Sequence, residues 1–289
     1  YMSGSQPSNP TGRYGAFPSA PAHAVLMEIW DGVGWYRGPY GNTPTNTHVK
    51  RGGTAGKVGS VNSHIAFNGD DYPTSVGTAA WNGVTWQDVG PHTPTARDSG
   101  AGFGGVYDGV VAGGASPNNT CVDEWNGATW STATALPTGQ SGAGGAGPQT
   151  AGLITGGGSS EVQEYNGTSW STATAMGTAT SNLSGGGTQN AAVLAGGYST
   201  KDTCHYDGLN WSHNADTLWV HGTTDGGYLG TQNSGFHIGG YQAPDSRKGT
   251  MMYNGLVWSQ AESLIVSRWA LAGFGSQNSA VVAGGDAPS

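Results

Sequence analysis

One short pattern constrains this chain more than any other: an aromatic residue, then Asn or Asp, Gly, two further residues and Trp. It occurs six times, at Trp30-Asp31-Gly32 to Trp35, Trp81-Asn82-Gly83 to Trp86, Trp125-Asn126-Gly127 to Trp130, Tyr165-Asn166-Gly167 to Trp170, Tyr206-Asp207-Gly208 to Trp211 and Tyr253-Asn254-Gly255 to Trp258. The first aromatics are 51, 44, 40, 41 and 47 residues apart. A period of that size signals a repeat architecture built from one supersecondary unit. Asn-Gly and Asp-Gly favour a type I′ turn, in which both central residues have positive φ. Each copy therefore predicts a tight hairpin with Trp125 opposite Ala128 and Trp130 lying diagonally across. On that register both aromatics of a hairpin share a face and fill the space between neighbouring sheets.

A second motif is a small apolar strand ending in Gly-Gly. It appears as Val110 to Gly114, Leu153 to Gly157, Val193 to Gly197, Phe236 to Gly240 and Val281 to Gly285, with a degenerate copy at Ile65 to Gly69. Upstream lies a Gly-rich strand, such as Ser99 to Gly105, Ser141 to Gly147 or Leu183 to Gly187, joined by a turn carrying Gln149, Gln189, Gln232 or Gln277. Small residues suit an innermost strand, where sheets converge on an axis. The unit is thus a four-stranded blade: Gly-rich strand, Gly-Gly strand, aromatic strand, Trp strand. The 53 glycines show no strict Gly-X-Y period, which excludes collagen, and 11 Trp with 12 Tyr argue against a disordered chain.

These blades resemble the kelch family, whose repeats carry a double glycine after the second strand and a spaced aromatic and Trp later. The likeness covers residues 24 to 286. It implies an all-β, six-bladed kelch-type β-propeller over 24–289, preceded by a Pro-, Ser- and Gly-rich arm or linker at 1–23. The cadence of Tyr165 to Met176 and Gly185 to Gly197 is also similar to kelch-like arrays of phage and marine viral structural proteins. At the ends, the Trp30–Trp35 hairpin has no Gly-Gly strand before it, and the Val281–Gly285 strand has no aromatic hairpin after it. Each is half a blade, so joining them is expected to complete the last blade and remove free strand edges.

Charged residues are 10% of the chain and the net charge is −8, with ten scattered basic residues. That argues against a nucleic-acid partner, which needs clustered Lys and Arg. No apolar run is long enough to span a membrane, and the N-terminus lacks the basic and apolar regions of a signal peptide. Starting at Tyr1, the chain reads as processed or as part of something longer. A surface of Ser, Thr, Asn and Gly fits an extracellular or virion setting.

Cys121 and Cys204 fall in third strands of blades separated by a whole blade, too far apart for a disulfide, and are expected to be free and buried. The eight histidines show no tight ligand pair. The even spacing of His205, His213 and His221 reads as chance, and a cluster of His92 and His221 with Asp98 and Asp225 is the weaker metal option. Neither a metal nor a cofactor is expected. Galactose-oxidase-like enzymes also use kelch blades, but their copper chemistry needs a Tyr–Cys cross-link near the axis, and both cysteines here sit away from it. Nucleophile elbows, His-Glu-x-x-His and phosphate loops are absent from the sequence.

Nine of the 11 Trp belong to the hairpins, leaving Trp219 and Trp269 in fourth-to-first connections. These connections emerge on the same face as the second-to-third loops. Arg268 precedes Trp269, Tyr241 lies in a second-to-third loop, and Arg97 and Asp98 hold the position in the second blade equivalent to Arg268 and Trp269. Aromatics with a few polar groups on a loop face suit a sugar ring or a peptide. The expected function is a non-enzymatic recognition or structural module on a virion (phage tail or capsid appendage) or extracellular surface. Its partners would be a host surface glycan or protein, or a neighbouring virion structural protein, with homo-oligomerisation through the arm as a further option. The alternative is a secreted kelch-type enzyme, an oxidoreductase or lyase.

Overall fold

The computed structural model describes residues 27–38, 57–60, 63–67, 78–84, 86–90, 93–115, 117–219, 227–242, 245–246, 248–268 and 271–283. The arm at 1–23, Trp269, His92, His221 and Asp225 lie outside the described residues, as does the side chain of Tyr241. The described fold is all-β, a β-propeller of antiparallel four-stranded sheets. Among the described residues there is no helix, and so none long and apolar enough to cross a membrane.

The chain enters through β1 (Met27–Trp30) and β2 (Trp35–Arg37). Five blades then follow, each made from one continuous stretch of sequence. Blade one is β3 (Lys57–Ser60), β4 (Ser63–Phe67), β5 (Thr78–Trp81) and β6 (Trp86–Asp88). Blade two is β7 (Ala101–Gly105), β8 (Asp108–Ala112), β9 (Val122–Trp125) and β10 (Trp130–Thr132). Blade three is β11 (Ala143–Ala146), β12 (Gly152–Gly156), β13 (Val162–Tyr165) and β14 (Trp170–Ala173). Blade four is β15 (Ser184–Thr188), β16 (Ala191–Ala195), β17 (Thr203–Tyr206) and β18 (Trp211–His213). Blade five contains β19 (Gly227–Thr231) and β20 (Ser234–Ile238), a two-stranded ribbon of β21 (Tyr241–Gln242) and β22 (Asp245–Ser246), then β23 (Thr250–Tyr253) and β24 (Trp258–Ala261). The chain ends in β25 (Ala272–Ser276) and β26 (Ser279–Ala283).

A further four-stranded sheet is composite, in the order β2-β1-β26-β25. Here β1 pairs antiparallel with β26, Met27 opposite Ala283 and Trp30 opposite Ala280. The innermost strands β3, β7, β11, β15, β19 and β25 contact one another in turn, and β25 returns to β3. The two ends of the chain are thereby sewn into one closed ring, and the edge that β26 would otherwise expose is paired.

Glycine makes the convergence at the axis feasible. Gly104, Gly147, Gly187, Gly230 and Gly275 hold equivalent places at the ends of inner strands, with φ between +91° and +106°. A Cβ at Gly187 would run into the Ala191 carbonyl oxygen, so both sterics and backbone conformation demand Gly there. Main chains meet directly at this point: Gly104 N–H donates to Gly147 O at 2.9 Å, and Gly147 N–H to Gly187 O at 3.2 Å. They line an axial cavity of about 260 Å³.

The hairpin register differs from the sequence expectation. Trp130 stands directly opposite Trp125, and Trp170 opposite Tyr165. The Asn does not take positive φ; only the Gly does, at +88° to +94° in all six copies. The Asn or Asp side chain closes the turn instead. Asn126 Oδ1 accepts from Ala128 N–H at 3.0 Å and Thr129 N–H at 2.8 Å, and Asp207 Oδ1 accepts from Leu209 and Asn210 N–H at 2.9 and 2.7 Å. An Asx turn thus replaces the type I′ turn, because a short side-chain acceptor substitutes for a main-chain carbonyl. The paired rings lie 4.7 Å apart at Tyr165–Trp170 and at Tyr253–Trp258.

Blades are joined by a repeated pair of hydrogen-bonded staples. The fourth-strand Trp donates its indole N–H to the preceding blade: Trp130 to Thr78 Oγ1, Trp170 to Thr134 O, Trp211 to Thr174 O, Trp258 to Thr203 Oγ1 and Trp35 to Glu262 O, all at 2.8–3.0 Å. The turn glutamine does the same from the opposite end of the inner hairpin. Gln189 Nε2 donates to Gly152 O and Tyr165 O at 2.8 and 3.1 Å, and Gln232 Nε2 to Ala192 O and Tyr206 O at 3.0 Å each. Apolar clusters fill the same gaps, as where Phe103, Leu136, Ile154 and Tyr165 pack between blades two and three. Burial and the carboxylate of Glu164, to which it donates at 2.9 Å, push the Tyr206 phenol up to about 12.

Candidate functional site

The connections from second to third strand and from fourth to first emerge on one face of the ring. Two of the side chains expected to greet a ligand there are spent inside the protein. Arg97 and Arg268 are 1% and 0% exposed. Arg97 Nη2 pairs with Asp123 Oδ2 at 2.5 Å, and its Nη1 donates to the carbonyls of Val111, Gly113 and Cys121. Arg268 Nη2 pairs with Glu28 Oε1 at 2.5 Å, while Glu28 also accepts from the N–H groups of Ile265 and Val266. Neither guanidinium is therefore presented at the surface of that face. Each guanidinium is drawn inward by an acid two residues before the first aromatic of a hairpin, Asp123 before Trp125 and Glu28 before Trp30. Burial lowers Arg97 and Arg268 below the ordinary Arg value and raises Asp123 above the ordinary Asp value, with the attraction between partners opposing each shift. Blade three solves the same position with neutral amides, Gln140 for the Arg and Gln163 for the acid, and Gln163 exchanges hydrogen bonds with the main chain of Thr138.

Asp98 is half-buried, and its main-chain oxygen accepts from Ala115 N–H at 3.0 Å. It sits at blade two, whereas Trp219 sits between blades four and five, so the fold does not bring Arg97 and Asp98 to Trp219. Trp219 is half-buried. Its ring covers the cluster of Val193, Tyr228, Met251 and Trp258 and lies so close to Gly249 that a Cβ there would collide with it. The indole is thus both a lid on the core and a partly exposed surface.

Around Trp219 the repeat is broken. In blade five the second-to-third connection carries the inserted ribbon, with Tyr241 opposite Ser246 and Gln242 opposite Asp245. Its base is tied by Gly239 N–H donating to Gly249 O at 2.9 Å. On the blade-four side, Leu218 is 41% exposed, and Lys201 Nζ donates to its carbonyl at 3.3 Å. Three residues before Trp219, Asp216 meets His213: Nε2 lies 3.2 Å from Asp216 Oδ1 and 3.3 Å from Asp202 Oδ1. This grouping is not visible in the sequence, where the even spacing of His205, His213 and His221 reads as chance. The signal lies in the register: with Tyr206 opposite Trp211, Cys204 falls opposite His213, which brings the residue preceding β17 close to the end of β18.

Both cysteines are free, Cys204 buried and Cys121 half-buried. Burial, helped by Asp202, pushes the Cys204 thiol up to about 11. His205 is held below the ordinary His value by burial, with its ring edge-on to Tyr253.

No protein-family model matches the chain, and comparison with curated proteins finds no significant relative.

Proposed function

We propose that this propeller is of the kelch type, with the composite sheet as its sixth blade, and that it is a non-enzymatic recognition or structural module of a virion or other extracellular surface. Its partner would be a host surface glycan or protein, or a neighbouring structural protein, held by the loop face at blades four and five. The observation that carries this reading is a two-stranded ribbon at Tyr241–Ser246, inserted in the second-to-third connection of blade five beside the partly exposed Trp219. Repeat scaffolds concentrate binding in insertions on one face. The polar, weakly charged composition and the viral cadence of Tyr165 to Met176 support the surface setting.

A glycan array probed with the chain tests it, alongside variants with Trp219→Ala and with the ribbon shortened to a Gly-Gly turn. The expected result is a restricted set of bound glycans, weakened at least tenfold by either change in variants that still unfold cooperatively in urea. Glycan binding unaffected by both changes would overturn the assignment to this face. Stoichiometric copper with oxidation of primary alcohols would replace it by the enzyme reading.

A further inference from the structure

We propose that Asp202, His213 and Asp216 form a binding site for a first-row divalent cation of the zinc type, open to solvent on the rim of the same face. The site stands whether or not that face binds a partner.

The donor set and its spacing point to an ion. Zinc holds imidazole nitrogen at about 2.0–2.1 Å and carboxylate oxygen at about 2.0–2.2 Å, so neighbouring donors on a tetrahedral ion stand roughly 3.3–3.5 Å apart. His213 Nε2 lies 3.3 Å from Asp202 Oδ1 and 3.2 Å from Asp216 Oδ1, and all three donor atoms fall within 4.8 Å of one another. The two His213 separations match the spacing of neighbouring donors on such an ion.

Hydrogen bonding alone serves the cluster poorly. Two carboxylates converge on one ring nitrogen, which carries at most one proton, so a single N–H is shared between two anions. A cation at the point where the three atoms meet satisfies all of them at once. The neighbouring Lys201 donates from its ammonium to the Leu218 carbonyl. Main-chain pairing fixes the frame: Asn214 N–H donates to Thr203 O at 2.7 Å and Thr217 N–H to Lys201 O at 2.8 Å, locking the segment that bears His213 and Asp216 against the one that bears Asp202.

The chemistry selects the metal. One imidazole with two carboxylates suits zinc, cobalt or nickel, whereas calcium and magnesium favour oxygen alone. Three protein ligands leave a fourth position for water or for a hydroxyl or carboxylate of a docked molecule. His213, Asp202 and Asp216 are 55%, 27% and 58% exposed, so that position has access to solvent.

Isothermal titration of metal-free full chain with zinc sulfate in mildly alkaline buffer tests the site, with cobalt absorption as a report on tetrahedral geometry. The expectation is one equivalent bound, weakened at least a hundredfold in His213→Ala and at least tenfold in Asp202→Asn and Asp216→Asn. The double variant Cys121→Ser/Cys204→Ser should bind as the parent does. Because the three ligands lie at the surface, circular dichroism of the variants should match the parent. Absence of stoichiometric zinc binding, or binding unchanged by His213→Ala, would overturn the proposal.

Discussion

The ion pair between Glu28 and Arg268 spans 240 residues of sequence and joins the first strand to the connection that feeds the last inner strand. Glu28→Ala removes a buried carboxylate that accepts from Arg268 Nη2 at 2.5 Å, Ile265 N–H at 2.7 Å and Val266 N–H at 3.2 Å. It leaves the enclosed guanidinium without the Glu28 counter-charge. Breaking one side of such a pair costs about 3–5 kcal/mol. Against a total stability of about 5–15 kcal/mol, that is a large fraction. In urea, with a slope near the upper end of about 1–3 kcal/mol per molar, the unfolding midpoint should fall by roughly 1–2 M. The sequence offers its own remedy, since blade three places Gln140 and Gln163 at these positions. The double variant Glu28→Gln/Arg268→Gln should therefore cost less than Glu28→Ala alone, because no charge is left buried and the new amide can bond to the main chain as Gln163 does to Thr138. A loss below about 1 kcal/mol for Glu28→Ala, or a double variant as unstable as the sum of its single changes, would refute the reasoning.

Four further outcomes follow from the same geometry. Gln189→Ala strands the carbonyls of Gly152 and Tyr165 at the seam between blades three and four, and should cost about 1–3 kcal/mol in urea unfolding. The Cys204 thiol, raised to about 11, should resist iodoacetamide at neutral pH in the folded chain and react once the chain is unfolded. Because its folded value exceeds the unfolded one, the native state holds the extra proton, so this group's contribution to stability is lost as pH rises from the ordinary thiol range towards about 11; stability measured across that range should decline. Gly187→Ala forces a Cβ into the Ala191 carbonyl at a φ of +91°, and should destabilise by more than about 1 kcal/mol, seen as a lower unfolding midpoint.

The repeating strands were legible because each carries its own local signature: glycines where inner strands converge, an Asn-Gly or Asp-Gly turn where an Asx cap is needed, and paired aromatics between blades. The pairing of Met27–Trp30 with Ser279–Ala283 was legible as two half blades. The hairpin register was not. Tyr165 opposite Trp170 depends on whether Asn166 turns the chain with its backbone or with its side chain, and both use the same residue. The glutamine in each inner turn was visible as a recurrence, but its role as an inter-blade staple follows only once the neighbouring blade's carbonyls are placed. The inward position of Arg97 and Arg268 was not legible, because loop arginines at a rim and arginines folded over an acidic third strand have the same local sequence context. Asp123 and Glu28, two residues before Trp125 and Trp30, were the missed sign. The grouping of Asp202, His213 and Asp216 depends on strand register, which no spacing of histidines reveals.

The central structural claim is that the ring closes through β1 and β2. Deleting residues 24–37 from the chain and measuring urea unfolding together with mass in solution tests it. The account predicts loss of the cooperative transition of the parent, or a midpoint lowered by more than about 1 M, with association through the exposed edge of β26. A deleted chain that unfolds at the parent's midpoint and keeps the parent's association state would contradict it.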